Sequence, residues 1–189
     1  MNKEKTNQHN RVKKTLLWVA IGSITMFFGG LTSAYLVTRG GADWLLIEFP
    51  KEFYYSTALI LTSSLFLFFA KKATQKEYYN QQLFFLITTL CLGIGFVFFQ
   101  IEGWKNLVGQ NIHFTDKTTE SRGPFLYTLT LSHLIHLAGG VISLIVVIFV
   151  AAKKKYTPKN VLGLELASIY WHYLGILWIY LFLFLFFVK

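Results

Sequence analysis

The 189-residue chain is 54% hydrophobic and 18% aromatic but only 14% charged, with a mean hydropathy of +0.48. A soluble domain carries roughly 25% charged residues because its outside faces water, so the composition argues against a soluble enzyme. The formal charge of +9 does not point to nucleic acid either, because the lysines stand in short clusters between apolar runs rather than along one folded face.

A helix needs about 20 largely apolar residues to cross roughly 30 Å of hydrocarbon. Five segments meet or approach that length: 16–38, 54–70, 82–104, 125–152 and 163–188. The expected fold is therefore all-α, a five-transmembrane-helix bundle forming a single membrane domain over 1–189, with a basic tail over 1–15. Lys13 and Lys14 precede the first run as they would in a signal peptide. Its length and the absence of a convincing cleavage site at Tyr35-Leu36-Val37-Thr38 identify it as a retained span. In that span Thr25, Gly29 and Ser33 set a small residue at every fourth position, a face suited to close approach by another helix.

The second span carries Phe66, Phe68 and Phe69, which most simply face lipid or neighbouring helices. Cys91, the single cysteine, lies within the third span, so no intrachain disulfide is possible. Gln100, Glu102 and Trp104 fall where that span leaves the membrane. Trp104 reads as an interfacial anchor and Glu102 as a solvated end group. A connection over 105–124 follows, polar at Asn111, His113, Asp116, Thr118, Thr119 and Ser121, with the turn formers Gly123-Pro124.

Alternate connections differ in charge. The N-terminal tail and the loops after spans two and four hold twelve of the 18 basic residues, among them Lys71, Lys72, Lys76, Lys153 and Lys154. Cytoplasmic loops retain positive charge, so the N-terminus is expected inside and the C-terminus outside, and topology is a sufficient explanation of the clusters.

Ionisable groups in hydrocarbon are costly unless they face a bundle interior, a cavity or a partner. His133, His136 and Gly140 share one face of span four; Glu165, Ser168, His172 and Gly175 share one face of span five. The expectation is a polar link between the last two helices formed by His133, His136, Glu165 and His172. Haem ligation by one span-four histidine and His172 is the sharper alternative. Depth argues against it, because His133 and His136 lie roughly 12 and 16 Å below the outer end of their helix and His172 roughly 24 Å below the same side.

The last span, Gly163-Leu164-Glu165 running to Tyr170-Trp171-His172 and Trp178, resembles the final helix of subunit III of haem-copper oxidases. His133-x-x-His136 with Gly139-Gly140, Leu92-Gly93 with Phe96 and Gln100, and Gly29-Gly30 before Ala34-Tyr35 resemble the family's preceding helices. The resemblance covers the membrane part of the chain and suits the short, five-span form. Three positions depart from the pattern: Ile24 stands where a membrane-embedded Glu is common, Gly175 where an Asp is common, and Glu102 one residue short of the usual Glu.

The resemblance implies an accessory subunit of a respiratory terminal oxidase, in which electrons pass from cytochrome c to oxygen with proton pumping. It implies no cofactor or metal in this chain, haem and copper in the catalytic subunit I, subunit II as a further partner, and bound phospholipid. It also implies a bacterial cytoplasmic-membrane location and support of proton uptake and sustained turnover, and it leaves contacts with other respiratory complexes open. A quinol oxidase subunit, a free-standing transporter and a di-haem membrane cytochrome are the alternative readings.

Overall fold

The computed structural model describes residues 2–38, 50–110, 112, 114, 122–154, 156 and 161–188. Their regular structure is five α-helices, α1 (Asn2–Thr38), α2 (Glu52–Gln75), α3 (Tyr79–Gly109), α4 (Arg122–Ala152) and α5 (Leu162–Phe187). All five contain a stretch long and apolar enough to cross a membrane. Helices α1 to α4 extend beyond the apolar runs expected for them, while α5 coincides with its run to within one residue. The segment expected as a tail over 1–15 is helical from Asn2 onward, since nothing between Asn2 and Ala20 breaks the backbone pattern. Gly123-Pro124, expected as a turn, lies in the first turn of α4, where the missing proline N–H would have had no helical partner anyway. Asn111, His113, Asp116, Thr118, Thr119 and Ser121 lie outside the described residues.

Antiparallel α2 and α3 pair most intimately. The buried seam of α2 runs through Phe53, Ser56, Ile60, Ser63, Leu67, Ala70 and Thr74, with Ala73 buried beside it in the last turn; that of α3 runs through Gln82, Leu86, Thr89, Gly93, Phe96, Gln100, Gly103 and Leu107. Both sets alternate steps of three and four, the spacing of a left-handed coiled-coil seam, and small residues stand opposite large ones. A Cβ on Gly103 would meet the Phe53 ring at 2.6 Å, so only glycine admits that ring. The α2–α3 connection is tight: Tyr78 N–H donates to Ala73 O and Glu77 N–H to Thr74 O, a Schellman closure with Glu77 at φ 60°.

Helix α5 is the hub, packing against α1, α2 and α4, while α4 bridges α3 and α1. Among the described residues, helix α1 touches only α4 and α5, at the edge of the bundle. Lys13 and Lys14, Lys71 and Lys72, and Lys153 and Lys154 gather at one end, as the alternating directions of the helices require.

Candidate functional site

The residues singled out on α5 divide among three of its sides. Trp171 and Trp178, two turns apart, face α2 and α3 and are among the largest fully buried side chains. A buried indole N–H needs an acceptor, and α2 supplies one at each level. Trp171 Nε1 donates to Ser63 Oγ at 3.0 Å and Trp178 Nε1 to Thr57 Oγ1 at 2.9 Å. Both hydroxyls pass their own protons to α2 carbonyls, Ser63 to Ile60 and Thr57 to Phe53, so every polar atom of these two anchors is used.

The Trp171 indole sits in a glycine slot. A Cβ on Gly93 would lie 2.7 Å from the Trp171 ring, and one on Gly140 would lie 3.0 Å from Leu174 and 3.3 Å from Trp171. Trp178 meets Phe96 edge-on at 5.0 Å between centroids and the His133 ring at 5.2 Å. Gly163, which opens the motif, lies under Tyr156, whose hydroxyl would be 2.6 Å from an added Cβ. Burial pushes the Tyr156 phenol above its ordinary pKa, so it remains an uncharged cap on the loop.

The expected link among His133, His136, Glu165 and His172 is not what the helices build. Glu165 turns to α1 and pairs with Lys14 Nζ at 2.8 Å. His136 donates Nδ1–H to Ser132 O in its own helix and lays its ring against Phe28 of α1, 5.6 Å between centroids. His133 is fully buried between Phe96 and Trp178, with neither ring nitrogen hydrogen-bonded among the described residues. His172 faces a groove against the end of α2. Among the described residues, α4 and α5 are joined through a polar group by Tyr170 Oη–H donating to His136 O at 3.1 Å, and that hydroxyl would lie 3.8 Å from a Cβ added at Gly139.

A second polar set, not foreseen from the sequence, ties parallel α1 to α5. Thr25 shares a hydrogen bond with Tyr173 Oη at 2.9 Å, Thr32 shares one with Tyr180 Oη at 3.1 Å, and Tyr35 Oη–H donates to Val188 O at 3.2 Å. Thr25 and Thr32 repeat at seven residues, as do Tyr173 and Tyr180; that matched hydroxyl spacing was the available signal. Thr25 thus leaves the small-residue stripe for an internal bond. Gly29 has nothing within 4 Å of an added Cβ, and Ser33 is exposed.

On α3, Gln100 is buried and donates Nε2–H to Ser56 Oγ at 2.9 Å, leaving Oε1 without a partner among the described residues. Trp104 is not simply an interfacial anchor, because its Nε1–H donates inward to Thr130 Oγ1 at 3.0 Å. Glu102 pairs with Lys105 at 2.7 Å on an exposed surface. Among the described residues, no three His, Cys, Asp or Glu side chains come together as a metal site would require. The arrangement is that of a scaffold: motif side chains are spent on holding helices at fixed distances.

The sequence profile of the family described as Cytochrome c oxidase subunit III matches residues 47–189. Among curated proteins, the chain is 28% identical to a probable cytochrome c oxidase subunit 3 of Mycobacterium tuberculosis, over 93% of this chain and 86% of that one. It is 30% identical to a cytochrome c oxidase subunit 3 of Bacillus sp. (strain PS3), over 87% of this chain and 80% of that one. It is 23% identical to a probable quinol oxidase subunit 3 of Staphylococcus saprophyticus, over 95% and 90% respectively.

Proposed function

This chain belongs to the cytochrome c oxidase subunit III family, and from that premise we propose that it is the non-catalytic accessory subunit of a bacterial terminal oxidase fed by cytochrome c. It packs in the cytoplasmic membrane against a catalytic subunit that holds the haems and copper, beside subunit II, with its lysine-rich end inside. The observation that carries this reading is the use of the motif itself. Trp171, Trp178, Gly93, Gly140 and Gly163 all serve packing, and their polar atoms are satisfied within the bundle.

The uncovered face at Gly29, Gly30 and Ser33 supports contact with a neighbouring subunit, since small residues let two helix backbones approach closely. Bound phospholipid fits a bundle whose grooves open between α2 and α5 and where α1, α4 and α5 meet. Support of proton uptake and of sustained turnover follows from position against the catalytic subunit. Ile24 stands at the first-span position where a Glu is common, so no carboxylate at that position takes part. A quinol-fed oxidase is the second reading, favoured by the Staphylococcus saprophyticus relative; cytochrome c is preferred because the 28% and 30% identical relatives carry that name.

The test compares native membranes with and without this chain. An oxidase lacking it should keep its initial rate and then lose activity over far fewer turnovers. An unchanged lifetime in its absence would contradict the proposal.

A further inference from the structure

The lysine-rich end of the bundle holds a groove of about 450 Å³ between α2 and α5. Lys71 and Lys72 edge it from the last turns of α2, with Gln75 beyond them. His172 and Ile169 line it from α5, and Phe68 forms an apolar wall on the α2 side. No acidic side chain is among the lining residues. Glu165, the acid of α5, is turned to Lys14 on another side of its helix. Ser168 also borders the groove, but its hydroxyl proton is given to Leu164 O, so the donors left are two ammonium groups, an imidazole N–H and an amide.

Two cations with no acidic partner among the described residues, above an apolar wall at the end of a membrane helix, match one ligand chemistry. We propose that this groove binds the headgroup of an anionic phospholipid. The phosphodiester lies between Lys71 and Lys72, the glycerol-ester region is within reach of His172, and one acyl chain runs along Phe68 and Ile169. Ammonium groups near the membrane surface attract anionic lipid with about 1 kcal/mol each, and the low dielectric below them strengthens a hydrogen bond from His172. The wall selects lipid over free phosphate, since a soluble anion gains nothing from Phe68 and Ile169. The inference deepens the lipid role proposed above and rests on that reading in placing the groove in a bilayer.

The test uses the intact complex purified through this chain, as wild type, as Lys71→Gln/Lys72→Gln, and as Lys153→Gln/Lys154→Gln, which removes equal charge at the same end. After mild delipidation each is titrated in mixed micelles with phosphatidylglycerol, with phosphatidylcholine and with inorganic phosphate, and retained lipid is counted by native mass spectrometry. Wild type and the Lys153/Lys154 variant should retain phosphatidylglycerol in preference to phosphatidylcholine. The Lys71/Lys72 variant should bind it at least about tenfold more weakly, and phosphate should not displace it. Equal retention in both variants, or displacement by phosphate, would overturn the inference. Should the chain purify without a haem-copper partner, the proposed function fails, while the lipid count on the free chain still decides the groove.

Discussion

The α2–α3–α5 interior and the outlying α1 hold together by different means. In the interior, rings fill glycine slots: Trp171 against Gly93 and Gly140, Phe53 against Gly103. Lipid tails are as apolar as leucine, so packing there gains through close contact and satisfied polar atoms rather than through escape from water. Helix α1 has no such slots toward its neighbours. Its Phe28 and Tyr35 rings are buried against α4 and α5, and Lys14–Glu165 with the hydroxyl pairs Thr25–Tyr173 and Thr32–Tyr180 ties it to α5, while Gly22, Gly29 and Gly30 have nothing within 4 Å of an added Cβ. Glycine therefore means opposite things in the two regions. In α3 and α4 it receives a partner already present, and in α1 it leaves a face uncovered.

The contrast breaks first at Trp171. Trp171→Ala empties the slot and removes the indole N–H that Ser63 Oγ accepts, and a loss of about 3–5 kcal/mol is expected. It would be read as a large fall in the thermal midpoint of the purified complex; a variant as stable as wild type would remove the interior's claim to be pinned by this ring. Glycine sharpens the comparison with a change of sign. Gly93→Ala drives a methyl against a ring fixed by its bond to Ser63 and should cost about 1–3 kcal/mol. Gly29→Ala adds helix propensity in open space and should be neutral or stabilising by up to about 1 kcal/mol. Thermal melts of the two variants as chains freed from their partners, where nothing covers Gly29, check this, and equal effects would erase the distinction.

Gly29→Leu tests the uncovered face. The chain should fold and insert normally, yet its recovery with the oxidase partners should fall by about tenfold, near 1.4 kcal/mol of association. Undiminished recovery would show that no helix seats there. The smallest effect belongs to the α1–α5 pairs. A double-mutant cycle of Thr25→Val and Tyr173→Phe should give a coupling of about 0.6 kcal/mol, typical of interhelical hydrogen bonds within membranes; a coupling indistinguishable from zero would leave α1 held by the remaining contacts.

The five spans were legible because hydropathy over 20 residues is a strong signal, and the Tyr170-Trp171-His172 segment was legible because its residue types are rare together in hydrocarbon. Helix ends were not, since polar residues such as those of 2–15 extend a helix beyond the bilayer without changing the apolar count. Partner assignment failed for a geometric reason. His133 and His136, three residues apart, are separated by about 60° around the helix. At a junction of several helices that angle suffices to send one ring to Phe96 and Trp178 and the other to Phe28 of α1. Glu165 found Lys14 across 151 positions of chain, a pairing that only the parallel packing of α1 and α5 creates. His172 was singled out as a costly polar group, but the groove it lines depends on where α2 ends.

The most direct test of the central claim is affinity purification of the tagged chain from native membranes in mild detergent, with a reduced-minus-oxidised haem spectrum and identification of the co-purifying subunits. An accessory subunit III predicts haem bands that arrive with a large multi-span haem-copper subunit and disappear when this chain is stripped free. A colourless chain that purifies alone, or haem retained by the isolated chain, would contradict the account.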